Sequence, residues 1–148
     1  MLEVLAPTMI DYASPELAAE MVPRLLRGDE QWCQGFSEPG SGSDLASLTT
    51  RAVEKDGRWV INGQKIWTSA AHVADMMFAL VRTEPTAKKH AGISYVLIPM
   101  DTPGIEVRPL ASMTGEAEFN QVFLTDVRVP KINIVGPRGG GWAIANTT

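Results

Sequence analysis

A mainly β domain, an antiparallel β-barrel or sandwich with short helical stubs at both ends, is the fold class that the sequence predicts. Three observations lead there. Seven or eight short strand-like runs follow one another between residues 31 and 136. Turn formers separate them, with 13 Gly and 10 Pro among 148 residues, which favours many turns over long helices. Helical periodicity is confined to the first 28 residues and the last few. Short strands joined by frequent turns point to an antiparallel barrel or sandwich.

The opening segment is helical. Leu2, Val4, Leu5, Met9 and Ile10 form an apolar patch that reads as the end of an earlier helix. Ser14 is positioned as an N-cap with Pro15 at the first helical residue, where its missing N–H costs nothing. Leu17, Met21 and Leu25, with Ala18, Val22 and Leu26, recur at i+4 and make one apolar face. Gly28 stops this helix, and Pro23 predicts a kink or a split within it. With no partner helices in the sequence, the face on Leu17, Met21 and Leu25 is expected to stay exposed and to promote self-association.

From Gln31 the signals change. Residues 48–55, 58–62 and 64–69 read as strands separated by Asp56-Gly57 and Asn62-Gly63, both hairpin-turn dipeptides. Residues 76–83 and 93–100 are continuous apolar runs, which predicts central strands covered on both faces. Residues 105–109 alternate like a half-exposed strand, and 119–129 is long enough to carry a bulge. Pro99, Pro103, Pro109 and Pro130 fall at the ends of runs, where no ladder N–H is needed. Residues 86–90 read as a charged surface loop. Gly139-Gly140-Gly141 then leads into the first turn of another helix. The divisions are a helical part at 1–30, a β domain at 31–136 and the start of a further helical part at 137–148.

Composition excludes several functions. A formal charge of −4 and the lack of a basic stripe give nucleic acid no electrostatic hold. The longest apolar run, residues 76–81, is far below the ~20 residues that cross a bilayer. Met1-Leu2-Glu3 lacks the basic start of a signal peptide, so a cytoplasmic globular protein is expected. The single cysteine, Cys33, excludes an internal disulfide and reads as a small buried side chain. His72 and His90 have no metal-ligand spacing; His72 reads as exposed or packing, and His90, beside Lys88-Lys89, as solvated.

Two clusters carry candidate chemistry. The first is Gln34-Gly35-Phe36-Ser37-Glu38-Pro39-Gly40-Ser41-Gly42-Ser43-Asp44. Small residues let a ligand approach the backbone, and hydroxyls with free N–H groups suit a phosphate. It is not a dinucleotide fingerprint, since Leu45 stands where the third glycine belongs, and it lacks the Gly-Lys-Ser/Thr of a P-loop. The alternative is a surface turn in which Asp44 caps a short helical turn. The second cluster is Asn62-Gly63-Gln64-Lys65-Ile66-Trp67-Thr68-Ser69. Trp67 followed by two hydroxyls suits stacking on a planar ring with donors at its edge. The alternative is a core tryptophan with incidental polar neighbours.

The order of these clusters resembles the middle β-domain of the acyl-CoA dehydrogenase family. Four stretches carry the resemblance: Ser37 to Asp44, Asn62 to Trp67, Val122-Phe123-Leu124-Thr125-Asp126-Val127-Arg128-Val129-Pro130, and Gly139-Gly140-Gly141-Trp142. Before them, Val22-Pro23-Arg24-Leu25-Leu26-Arg27-Gly28 matches the family's last N-terminal helix. The resemblance implies bound FAD and a role in dehydrogenating acyl-CoA thioesters to the trans-2-enoyl form, as in fatty-acid β-oxidation. Gln34, Gly35, Phe36, Ser37, Gly42 and Ser43 would line the cofactor, with Ser37 near the pyrimidine edge and Ser43 where the pyrophosphate meets the CoA arm. Trp67 would pack on the isoalloxazine, with Thr68 and Ser69 beside it and Ser69 near N5. The family more often has threonine at positions 37 and 69; serine keeps the hydroxyl and loses a rotamer-limiting methyl.

The resemblance also implies a glutamate base from a C-terminal helical region that this sequence lacks, so a fragment with no catalytic residue of its own is expected. Glu38 belongs to the cofactor-loop motif rather than standing in for that base. Glu116 and Glu118 read as solvated, and Asp44, Asp75 and Asp126 lack an acid–base partner in the sequence. Electron-transfer flavoprotein is the implied electron acceptor and a homo- or hetero-tetramer the implied assembly. A flavin monooxygenase or oxidase of the same fold, or a non-catalytic β-barrel module, are the alternatives. The acyl group, fatty or steroid, is not legible.

Overall fold

The computed structural model describes residues 2–28, 30–40, 47–69, 71–87, 90–110 and 119–147. In chain order the elements are α1 (Leu2–Tyr12), α2 (Pro15–Arg27), β1 (Trp32–Gly35), β2 (Arg51–Lys55), β3 (Arg58–Ser69), β4 (Met76–Arg82), β5 (Ile93–Pro99), β6 (Ile105–Pro109), β7 (Phe119–Pro130), β8 (Ile134–Val135) and α3 (Gly141–Thr147). The strands form one sheet in the order β6-β7-β3-β2-β4-β5-β8, with β1 added to β4. Among the described helices none is long and apolar enough to cross a membrane.

The mainly β fold with helical ends is as expected, and five of the strand pairings are antiparallel. Two are parallel, which the sequence did not signal: β1 with β4 over four residue pairs, and β2 with β4 at Arg51↔Arg82. Both strands reach β4 through long excursions. Only a tight hairpin forces antiparallel pairing.

The apolar runs of β4 and β5 divide between two cores. Met76, Phe78 and Leu80 join Ile93, Tyr95 and Leu97 beneath the helices, where Leu5, Met9, Leu17, Met21 and Leu25 also pack. Met77, Ala79 and Val81, with Val96 and Ile98, face the opposite core against Trp59, Ile61, Val122, Val127 and Val129. Alternation sends successive side chains to opposite faces, so a strand with a core on each side reads as continuously apolar. The expected exposed helical face is thereby corrected. Leu17, Met21 and Leu25 are buried against α1 and the sheet, while Leu26 is the exposed member.

Helix α2 begins and ends where its caps predict. Ser14 Oγ accepts the Leu17 N–H at 3.2 Å, and Gly28 takes a left-handed φ of 71° at the C-cap. Pro23 does not split it. Pro23 and Ala19, whose carbonyl loses its partner, both lie on the exposed face, where water satisfies that carbonyl.

Two strand boundaries also differ from expectation. β2 starts at Arg51 rather than residue 48, because the Thr49 and Thr50 amides donate to the Glu38 carboxylate instead of to a ladder. Asn62-Gly63 is no hairpin turn, since β3 runs through it as one 12-residue strand. A Cβ on Gly63 would come within 2.6 Å of the Thr50 Cα, so this glycine serves close backbone approach.

β3 and β7 each carry one extra residue. Between Ile61↔Val127 and Gly63↔Leu124, two steps of β3 face three of β7; between Lys65↔Val122 and Thr68↔Asn120 the imbalance reverses. The two irregularities contain Asp126 (φ 47°) and Trp67 (φ 58°). The β7 bulge expected from its length is present, and β3 has a second.

Candidate functional site

The β3 bulge aims Trp67 outward. A regular strand would put Trp67 on the same face as Lys65, two residues earlier. The extra residue breaks that period, so Lys65 and Thr68 both point inward and Trp67 stands 59% exposed. Phe119 supports it edge-on, with ring centroids 6.0 Å apart. The reading of Trp67 as a core residue is therefore set aside. A bulky side chain in the left-handed region is strained, and such strain gathers at ligand sites.

The two sequence clusters meet here. Ile66 N–H donates to the Ser37 carbonyl at 2.9 Å, joining the end of the β1 loop to the bulge. Lys65, fully buried, donates to Phe36 O (3.2 Å), Leu80 O (2.8 Å) and Glu38 Oε2 (2.8 Å). The Glu38 carboxylate also accepts from Thr49 N–H (2.7 Å), Thr49 Oγ1 (3.1 Å) and Thr50 N–H (3.0 Å).

Burial works to raise the Glu38 carboxyl, but the Lys65 ammonium and the Thr49 and Thr50 donors outweigh it and hold it below the ordinary carboxylate range. Burial pushes the Lys65 ammonium down to about 8, which the attraction of Glu38 only partly offsets. Both oxygens of Glu38 are engaged and buried. It is a structural anion, not a base poised for a substrate proton.

The other expected wall residues separate by exposure. Gln34 is exposed and Ser37 half-buried. Phe36 turns its ring into the helix-side core, edge-on to Phe78 at 5.8 Å and Tyr95 at 6.1 Å. Gly35 is buried, where a Cβ would come within 2.5 Å of Met77 Sδ. Thr68 is buried, and its Oγ1 has no hydrogen-bond partner. Ser41, Gly42, Ser43, Asp44, Glu116 and Glu118 lie outside the described residues, as does the Ser69 side chain.

Three participants were missed from sequence. Asn120 is fully buried and donates from Nδ2 to Thr68 O at 3.0 Å, with His72 Nδ1 at 3.4 Å, leaving its Oδ1 unpartnered. Phe119 props Trp67. Lys65 had a signal, because it occupies an inward position by strand alternation from Ile61 and Gly63. A cavity of about 260 Å³ bounded by Glu38, Gly40, Ser47, Thr49 and Gln64 adjoins the first cluster. A larger one, about 930 Å³, opens between β2 and β4 and is lined by Arg51, Ala52, Arg82 and Arg138, away from Trp67.

The described site thus combines an exposed tryptophan at a positive φ, hydrogen-bonded through its neighbour Ile66 to Ser37, with a buried Thr68 hydroxyl and Asn120 carboxamide oxygen that lack hydrogen-bond partners. The acyl-CoA dehydrogenase middle-domain family model matches residues 33–127. The chain belongs to that family. It is 54% identical over 143 residues to the acyl-CoA dehydrogenase FadE34 of Mycobacterium tuberculosis, covering 97% of this chain and 20% of that protein. It is 49% identical over 146 residues to the acyl-CoA dehydrogenase IpdE1 of the same organism, covering 99% of this chain and 38% of that protein. A solved structure titled "Tcur3481-Tcur3483 steroid ACAD" superposes with a TM-score of 0.91 at 39% identity, covering 96% of this chain and 37% of that one. The chain thus spans between a fifth and two fifths of the length of these relatives.

Proposed function

We propose that this chain forms the cofactor- and substrate-facing wall of a FAD-dependent dehydrogenase that converts acyl-CoA thioesters to trans-2-enoyl-CoA. The observation that carries the reading is Trp67, lifted out of its strand by a bulge and hydrogen-bonded through its neighbour Ile66 to the Ser37 loop. Bound flavin would supply the redox chemistry by accepting the β-hydrogen as hydride. Trp67 offers one face for stacking and keeps water from the ring. Ser37 and Ser69 would offer hydroxyls to the edge of the ring, with Gln34 and Thr68 beside them. Gly35, Phe36 and Gly42 would also line the cofactor, Phe36 with its ring anchored edge-on to Phe78 in the core. Ser43 binds where the pyrophosphate and the CoA arm meet.

The general base is sought outside this chain, since Glu38 is committed to Lys65 and the Thr49-Thr50 amides. In this reading residues 1–30 close an N-terminal helical domain, 31–136 are the middle domain and 137–148 open a C-terminal helical domain. Electron-transfer flavoprotein takes the electrons, and the assembly is a homo- or hetero-tetramer in the cytoplasm.

The test is titration with FAD followed by gel filtration and a visible spectrum, on the chain alone and joined to the C-terminal region of a relative. Co-eluting flavin with a perturbed band is expected in the joined protein, with bleaching on anaerobic addition of an acyl-CoA. Because one relative's title specifies a steroid enzyme, the acyl panel includes a steroid side-chain thioester beside straight chains. Retained flavin that no acyl-CoA reduces would turn the reading toward a monooxygenase or oxidase. A joined protein that never retains flavin would sink it.

A further inference from the structure

The buried Lys65–Glu38 pair is a costly feature to keep in a small domain, because an apolar pair of similar volume packs at least as well. Its directional contacts are informative. Lys65 Nζ holds the carbonyl of Phe36 and the carboxylate of Glu38, the residues on either side of Ser37. The third Nζ bond fixes Leu80 O on β4. The carbonyl of Ser37 itself accepts from Ile66, the residue after Lys65, and Trp67 follows directly. Glu38 in turn gathers the amides of Thr49 and Thr50, on the far side of the loop that began at Ser37. One ammonium and one carboxylate therefore tie the end of β1, the entry to β2, the middle of β3 and β4 to a single point.

We propose that Lys65 and Glu38 are positioning residues that hold the Ser37 loop and the Trp67 bulge at the separation a flavin ring requires. The proposal rests on the flavin reading above. Both side chains are buried and committed to one another and to backbone groups. They act through the backbone of residues 36–38 and 66–67. A hydrophobic pair would fill the volume without specifying where the Phe36 carbonyl sits; three N–H donors on one nitrogen specify it.

The test is made on the full chain joined to the C-terminal region as above. The double variant Lys65→Met/Glu38→Gln removes the clamp without leaving an unpaired buried charge. Val129→Ala, a buried truncation at the other end of β7, controls for lost stability. The double variant is expected to bind FAD about ten-fold more weakly and to show about ten-fold faster amide exchange at Ile66 and Thr50. Val129→Ala should change neither beyond the exchange common to the whole domain. A folded double variant with wild-type FAD affinity and wild-type protection at Ile66 overturns the proposal. If it does not fold, Lys65→Arg decides, because a guanidinium keeps the charge but not the three-way geometry: weakened FAD binding supports the clamp and unchanged binding refutes it. Failure of the wild type to retain FAD would remove the flavin reading alone, since Ile66 exchange reports the clamp without any cofactor.

Discussion

Asn62 and Asp126 grip one another across β3 and β7: Asn62 Nδ2 donates to Asp126 Oδ1 at 3.1 Å, and the Asp126 N–H donates to Asn62 Oδ1 at 2.9 Å. The exchange satisfies the amide that the β7 bulge takes out of the ladder and holds Asp126 at φ 47°. It also explains why Asn62-Gly63 does not turn the chain. Asn62→Ala should cost about 1 kcal/mol, the net value of an exposed hydrogen-bonded pair. Asp126→Gly should cost less, because glycine accepts the positive φ freely. Thermal unfolding of the two variants checks the order.

Trp67 is held for something other than stability. Its ring is mostly exposed, and its left-handed backbone costs a non-glycine residue roughly 1–2 kcal/mol. Loss of the edge contact with Phe119 offsets that by about 0.5–1.5 kcal/mol. Trp67→Gly should therefore leave the unfolding free energy within about 1 kcal/mol of wild type while abolishing flavin retention. Denaturant unfolding and gel filtration with FAD test both halves. A large loss of stability would show the ring to be a packing element.

The buried pair predicts two pH dependences of the same sign in separate windows, one acidic from Glu38 and one alkaline from Lys65. Glu38 has a folded pKa below its ordinary 4.5, so its stabilising contribution is present above about pH 4.5 and lost as pH falls through the folded value. Lys65 is lowered from 10.5 to about 8. Between those values the folded lysine is neutral while the unfolded one binds a proton, so stability from this group rises with pH. Against the double variant Lys65→Met/Glu38→Gln, the wild-type melting temperature should gain as pH goes from about 8 to about 10. An unchanged difference across that window would contradict the lysine's displacement.

Cys33 is buried, and burial pushes its thiol up to about 12. The native protein should resist thiol-specific reagents at pH values near 8 and react fully once unfolded. Cys33→Ser, which buries a hydroxyl in the core shared with Met77 and Ala79, should destabilise by about 1–3 kcal/mol. Rapid native alkylation would show that β1 opens.

Much of the fold is local and was legible for that reason. Ser14, Pro15 and Gly28 bound α2 through contacts a few residues apart, and the apolar runs of β4 and β5 report cores on both faces without naming what fills them. The motifs at Ser37 to Asp44 and Asn62 to Trp67 marked the family.

Other features needed distant residues together. The cover over Leu17, Met21 and Leu25 comes from α1 and strands more than fifty positions away. The parallel pairing of β1 and β2 with β4 depends on how long connections return. Alternation from Ile61 puts Lys65 at an inward position, but its role is set only where Glu38, Phe36 and Leu80 converge on it. Asn120 gains meaning only opposite Thr68. Local propensity and periodicity specify which segments become helix or strand, because their energetics lie within a few residues. The outward aim of Trp67 and the burial of Lys65 were decided by the tertiary structure, since register across strands sets which side of a sheet a side chain occupies, and one extra residue reverses it.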